Sequence, residues 1–257
     1  MADGAPRLHG SPPHHLTSAL LESAGLPHLF TTRHFPGVTP SSRPVSPFGP
    51  EAERLLAGRG LAREPAAYAR QVHGADVAVA ERSGLAGVAD VLLTERPGLP
   101  VAIITADCLP IIVYDPQGGR LAGVHAGWRG TVQSAARAAA EALARAGGDP
   151  AGFVAAIGPS IGPCCYEVDG PVIERLEAAF PGAWKGWVSP IRPGKWMLDL
   201  WQANLDQLTS AGLARDRVDN PRLCTACHLD LFYSYRKLGR MPGRLVTVAA
   251  LPVDGRR

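Results

Sequence analysis

Three short blocks of this sequence carry residues able to do chemistry: Gln71-Val72-His73-Gly74, Thr105-Ala106-Asp107-Cys108 and His125-Ala126-Gly127-Trp128-Arg129. Each follows a run that reads as a strand. Two imidazoles and a thiolate gathered at strand ends would hold a zinc ion with three protein ligands and leave the fourth position for water or substrate. Zinc so held lowers the pKa of bound water to about 7, and it binds a phosphate oxygen equally well. The ligand spacing is irregular, unlike the tight clusters of a structural zinc finger, which suits a site assembled by the fold.

Each residue also has an ordinary reading. A histidine between a strand and a glycine is commonly a hydrogen-bonded turn residue, and free cysteines are among the most buried residue types. The three together favour the metal site His73, Cys108 and His125. Asp107 would be costly to bury unpaired, which gives it a place in the site, either orienting a ligand or taking a proton. Gly127-Trp128-Arg129-Gly130 reads as a turn into a helix, where free N–H groups and the Arg129 guanidinium would favour an anion such as phosphate. In the plainer reading Trp128 plugs the core and Arg129 is a solvated cap. Asp107, Cys108 and Arg129 are therefore the candidate catalytic residues, and Arg33, Gln71 and Arg236 the candidate substrate contacts.

The elements that must position these groups follow from periodicity. Continuous apolar runs such as Val101-Ala102-Ile103-Ile104 predict strands covered on both faces. Strands are expected at 26–33, 67–72, 76–80, 90–94, 101–105, 109–114, 120–125, 153–157 and 245–251, and over Leu231-Phe232-Tyr233. Helices are expected at 51–60, from Thr131 as N-cap to about Arg145, and at 171–179 and 198–210. Five prolines between Pro36 and Pro50 predict a long loop. Residues 1–15 read as a disordered tail ahead of a single domain over 16–257. Strands and helices do not alternate one by one, so mixed sheets flanked by helices suit the order better than a doubly wound parallel sheet.

Composition sets outer limits. The chain has 257 residues, 46% hydrophobic and 19% charged, ordinary for a compact soluble protein. A net charge of +3 is too small to argue for nucleic acid or a membrane surface. No segment has signal or membrane-spanning length. Five cysteines, an odd number, predict free thiols in a reducing cytoplasm. A monomer is the default.

The quoted blocks resemble the bacterial laccase-domain family, the multicopper polyphenol oxidases later described as purine nucleoside phosphorylases. Phe30-Thr31-Thr32-Arg33, Arg70 to Gly74, Thr105 to Ile111 and Gly123 to Gly130 match its blocks in order. Ile157-Gly158-Pro159, Cys165-Tyr166-Glu167-Val168, Cys224-Thr225-Ala226-Cys227 and Ser234-Tyr235-Arg236 complete the match. The resemblance implies an α+β fold, a four-layer α/β/β/α sandwich, with zinc on His73, Cys108 and His125. It implies phosphorolysis of adenosine, inosine, guanosine and methylthioadenosine to free base and ribose 1-phosphate, with adenosine deamination beside it. One departure is visible: His34-Phe35-Pro36-Gly37 and a proline-rich loop stand where the family has paired glycines and an asparagine-rich segment.

Three rival chemistries stand beside this one, two of them on the same residues. Copper, which His₂Cys ligation accepts, would make an oxidase, but the chain has eight histidines and no His-X-His pair for a trinuclear cluster. Copper bound in vitro would then be adventitious. Cys224-Thr225-Ala226-Cys227-His228 spells the c-type haem attachment motif, for which the reading of two packed loop thiols is preferred. Cys108 as nucleophile with His125 as base would make a metal-free cysteine hydrolase or deamidase.

Overall fold

A computed structural model describes residues 6–38, 47–239 and 243–253. In chain order these form β1 (Arg7–His9), β2 (His15–Thr17), α1 (Ala19–Ser23), β3 (His28–Thr31), α2 (Pro50–Ala57), β4 (Ala67–Arg70), β5 (Val77–Val79), β6 (Gly84–Val88), β7 (Val91–Thr94), β8 (Pro100–Thr105), β9 (Leu109–Asp115) and β10 (Arg120–Ala126). They continue with α3 (Trp128–Val132), α4 (Ala135–Arg145), β11 (Val154–Ile157), β12 (Glu167–Asp169), α5 (Gly170–Ala179), β13 (Val188–Arg192), β14 (Lys195–Leu198), α6 (Leu200–Ser210), β15 (Val218–Asp219), α7 (Tyr235–Leu238) and β16 (Leu245–Ala250).

The strands form three sheets, ordered β1-β2-β3-β16-β8-β4-β6, β15-β11-β9-β10-β7-β5 and β12-β14-β13. Both large sheets are mixed, since β4 pairs parallel with β8 and β6, and β5 with β7, among antiparallel neighbours. The small sheet is antiparallel. The expectation of mixed sheets flanked by helices holds.

Side-chain alternation sorts the core. From β9, Ile112 and Tyr114 pack in one apolar cluster with Val101 and Ile103 of β8 and Leu245 and Ala249 of β16. The alternate residues Leu109, Ile111 and Val113 pack in a second cluster with Ala135 to Leu143 of α4 and with Leu200 to Leu208 of α6. On the other large sheet, Ala102, Val246 and Val248 pack with Ala52 and Leu56 of α2. The contact between sheets is close: a Cβ at Gly123 would lie 3.0 Å from Ile103 Cγ1. Strands carrying two buried faces read as unbroken apolar runs, and so the runs at 101–105, 109–114 and 120–125 were recognisable.

Three expectations need correction. Residues 1–5 of the tail lie outside the described residues, but Arg7–His9 is a strand paired with His15–Thr17. Its ladder is reinforced by the His9 ring stacked on His15 at 4.5 Å and by a 2.9 Å bond between His9 Nε2 and Thr17 Oγ1. Thr131 caps nothing: it lies inside α3, where its hydroxyl accepts from Asn204 Nδ2 (2.9 Å) and its carbonyl from Gln207 Nε2 (2.7 Å). These bonds from α6 take Thr131 out of the expected helix, the chain breaks at Ser134 (φ 64°), and α4 begins afresh. Leu231-Phe232-Tyr233 is not a strand; Phe232 is fully buried, and its amide bonds back to His228 in a turn. The small sheet had no expected counterpart. The proline-rich loop falls largely outside the described residues, but Phe35 just before it and Phe48 within it are buried with their rings 6.4 Å apart.

Candidate metal centre and its surroundings

Strand register brings the three blocks together. In the β9–β10 ladder His125 lies opposite Pro110 and Ala126 opposite Leu109, so Cys108, one residue before β9, arrives beside His125. In the β10–β7 ladder Val124 faces Val91, which sets Asp90 next to His125. Parallel pairing of Val77 with Val91 then carries the preceding turn, with His73, to the same end. The candidate ligand atoms of His73, Cys108 and His125 all lie within 4.8 Å of one another. His73 is exposed, Cys108 half-buried and His125 buried, so the group opens to solvent on the His73 side.

Asp90 organises this group, and the sequence reading gave it no role beyond starting a strand. Its Oδ1 accepts His125 Nδ1–H at 2.7 Å and the His73 amide at 2.9 Å. Its Oδ2 accepts the amides of Val72 (3.1 Å) and Gly74 (2.6 Å). One buried carboxylate thus closes the turn on which His73 adopts a left-handed φ of 64° and also fixes the other imidazole. With Nδ1 committed, Nε2 of His125 is the nitrogen left for a metal, the arrangement by which carboxylates orient histidine ligands. A lone Asp in the apolar stretch Val88-Ala89-Asp90-Val91-Leu92 was the available signal. Gly127 leaves the room: a Cβ there would sit 2.9 Å from Cys108 Sγ and 3.2 Å from His73 Cδ2.

The electrostatics suit a cation. Burial alone would raise the Cys108 thiol, but hydrogen bonds and charge from His125 and His73 pull it down to about 6. Burial likewise opposes a charge on His125, and Asp90 with Cys108 lifts it to about 9. Burial opposes ionisation of Asp90 too, yet His125 and the turn amides hold its carboxyl below the usual range. A soft thiolate and two imidazoles make a donor set that fits zinc or copper. The same Asp90–His125–Cys108 line is also a carboxylate–imidazole–thiolate relay.

The remaining candidates divide. Asp107, in a left-handed conformation (φ 88°), is tied by Thr225 Oγ1 to Oδ1 and by the Arg236 amide to Oδ2, both at 2.6 Å. Arg236 stacks on Tyr166 (4.9 Å) and donates from Nη1 to the Glu167 carbonyl at 2.8 Å. Tyr166, quoted in a matching block of the sequence but given no role there, has its phenol raised by burial and by Cys108 nearby, with Arg236 and Arg129 opposing. These groups border one another. Arg129 is exposed and stacks on its neighbour Trp128 at 4.4 Å. Gln71 uses its amide otherwise, donating to the Ile104 carbonyl (2.7 Å) and accepting the Ile104 amide (2.9 Å), so it anchors the strand end leading to His73. Arg33 stacks on Tyr233 (5.0 Å) beside a cavity of about 230 Å³ lined by Thr32, Phe35, Val38 and Arg244. None of the three candidate ligands lines that cavity.

A second group was not foreseen: Cys164, Cys165, Cys224 and Cys227 also bring their sulfurs within 4.8 Å of one another. About sixty residues separate the two pairs, and a bridge between Ser160 and Cys224 joins the segments that carry them.

Comparison with known proteins places these features. The family profile described as multi-copper polyphenol oxidoreductase laccase matches residues 50–252. A protein of Deinococcus radiodurans named purine nucleoside phosphorylase is 36% identical over 237 residues, covering 88% of this chain and 90% of the relative. Adenosine deaminase RL5, from an unknown prokaryotic organism, is 34% identical over 77% of this chain and 82% of its own. The crystal structure of Bacillus licheniformis hypothetical protein YfiH superimposes with a TM-score of 0.84 at 26% identity, covering 96% of this chain and 98% of that one.

Proposed function

The chain belongs to the multi-copper polyphenol oxidoreductase laccase family, and from that premise we propose that it is a zinc-dependent purine nucleoside phosphorylase. It cleaves adenosine, inosine, guanosine and methylthioadenosine with phosphate to the free base and ribose 1-phosphate, and it deaminates adenosine as a second activity. The observation that carries this reading is the convergence of His73, Cys108 and His125 in a chain whose relatives bear both names.

His73, Cys108 and His125 would hold the zinc, which supplies Lewis-acid charge at its open position when bound. The chain's own groups do the positioning. Arg236, set by its stack on Tyr166 and its bond to Glu167, is the cation for phosphate, with Arg129 as the second cation acting near Tyr166. Tyr166, whose phenol stays protonated at neutral pH, would be a hydrogen-bond donor to the same anion. Asp107 holds the Arg236 backbone in place, a positioning role instead of the proton transfer also considered for it. As the C1′–N9 bond breaks, an oxygen of hydrogen phosphate bonds C1′, and the purine takes the electron pair and the proton that the phosphate gives up. Such positioning is worth roughly 7–11 kcal/mol when geometry is good.

The test is release of hypoxanthine from inosine with and without added phosphate, the sugar product identified by chromatography. Phosphate-dependent release with ribose 1-phosphate is expected; an unchanged rate without phosphate, yielding ribose, would overturn the reading. A second reading, a metal-free cysteine hydrolase, draws on the Asp90–His125–Cys108 relay. It requires Cys108 to stay catalytically competent after chelation, whereas the phosphorylase reading requires activity to vanish.

The architecture fits a four-layer α/β/β/α sandwich in one domain, because α2 covers the outer side of one large sheet and α4 and α6 that of the other. No helix among the described residues is long and apolar enough to cross a membrane. We place the protein in the cytoplasm as a monomer acting on nucleosides and phosphate.

A further inference from the structure

We propose that Cys164, Cys165, Cys224 and Cys227 form a second metal site, a structural tetrathiolate centre for zinc, separate from the His73-Cys108-His125 group. The distances carry it. A tetrahedral zinc with Zn–S bonds of about 2.3 Å sets its sulfurs about 3.8 Å apart. Here Cys227 Sγ lies 3.5 Å from both Cys164 Sγ and Cys165 Sγ, and all four sulfurs fall within 4.8 Å. A disulfide would need about 2.05 Å, and all five cysteines are free.

The backbone is arranged for ligation as well. Cys224-Thr225-Ala226-Cys227 has the two-residue spacing of zinc-binding cysteine pairs. The Gly162 amide donates to Cys224 Sγ at 3.3 Å. An amide aimed at sulfur favours a thiolate. Two loops are joined in register here, Ser160 N to Leu223 O and Thr225 N to Ser160 O, both at 3.1 Å. Cys164 and Cys227 are exposed, so a metal could enter from the surface. Held together, the loops fix Asp107 from two sides, through Thr225 Oγ1 (2.6 Å) and the Ile161 amide (2.8 Å). The centre would therefore stabilise the neighbourhood of the first site without touching substrate.

The experiment uses the full chain carrying Cys108→Ser, which removes the first site's thiolate and makes the result independent of the proposed activity. After loading with zinc and desalting under anaerobic, reducing conditions, that variant should retain about one zinc per chain, and Cys108→Ser with Cys227→Ser less than a tenth of one. Cobalt loading should give the charge-transfer bands of a tetrathiolate ion in the first variant and not in the second. In the unsubstituted chain, zinc should shield the four thiols from iodoacetamide and a chelator should expose them, a measurement that needs no variant to fold. Cys108→Ser without zinc, with alkylation at equal rates in zinc and in chelator, would overturn the site. Disulfides in the anaerobically purified chain would do the same.

Discussion

Asp90 Oδ1 lies 2.7 Å from Nδ1 of His125, and the same oxygen accepts the His73 amide at 2.9 Å. One atom thus sets both the ring of one candidate ligand and the backbone of another. Neither histidine could move without breaking a bond to a carboxylate whose side chain is fully buried. A metal bound there would meet the His125 ring already aimed and the His73 turn already set.

Asp90→Asn tests that arrangement with little change in shape. The amide nitrogen would face N–H donors, so at least one bond of the His73 turn or the imidazole is lost. Loss of such an oriented partner typically costs 10–100-fold in metal affinity. Competition with a zinc chelator should show a drop of roughly that size, with circular dichroism near wild type. An unchanged affinity would count against Asp90 as the orienting group.

Gly127→Ala should damage the site by crowding. The new methyl would meet Cys108 Sγ at 2.9 Å and His73 Cδ2 at 3.2 Å. Overpacking of this kind costs about 1–3 kcal/mol, and the cheapest relief is to turn the thiol or the ring out of place. Zinc affinity and nucleoside cleavage should both fall at least tenfold, while Tm drops by a few degrees. Wild-type zinc affinity in the variant would show that the glycine is there for the backbone alone.

The pH dependence of stability should carry the mark of His15. Burial, then the charges of Arg59, His9 and His14, hold its folded-state pKa at about 3, against an unfolded value near 6.5. The unfolded chain therefore binds a proton that the folded chain refuses. The stability at issue is present in full above pH 6.5 and is lost as pH falls from 6.5 toward 3. The slope is about 1.4 kcal/mol per pH unit for one group, so pH 5 costs on the order of 2 kcal/mol. Urea unfolding of wild type and His15→Leu at pH 7.5 and 5.0 should show the smaller loss in the variant. Parallel losses would assign the acid sensitivity elsewhere, for instance to His28, whose pKa is also lowered by burial.

What could be read in advance follows from where the information lies. His73, Cys108 and His125 were legible because each stands at the exit of a strand whose apolar run is local in sequence. Asp90 was hidden because its importance comes from pairing with His125, thirty-five residues away, through a strand register no local pattern reports. The four-cysteine group was hidden for the same reason, and Cys224 and Cys227 looked like packing thiols when taken as a pair. Gln71 shows the converse: a polar residue beside a candidate ligand suggested a substrate contact, and in the fold its amide is bonded to the Ile104 backbone. The small sheet lacked a signal altogether, since most of Val188–Arg192 is exposed and Pro190 interrupts it.

The last prediction concerns Arg236, whose backbone and side chain do separable jobs. Its amide donates to Asp107 Oδ2 at 2.6 Å, a contact any residue but proline would keep. Its guanidinium lies over Tyr166 at 4.9 Å and donates to the Glu167 carbonyl at 2.8 Å. Arg236→Lys retains the charge and the Asp107 bond but loses the planar fork and the stack that aim it. A hydrogen bond to a charged group is worth about 1.5–3 kcal/mol, so KM for phosphate should rise by roughly 10–100-fold. Zinc content should not change, because the contacts of the side chain are with Tyr166 and Glu167, neither of them a candidate ligand. Arg129→Lys, at an exposed stack on Trp128, should raise KM less. If Arg236→Lys left KM for phosphate as it was, the anion would have to be held elsewhere, and the cavity beside Arg33 would be the next place to look.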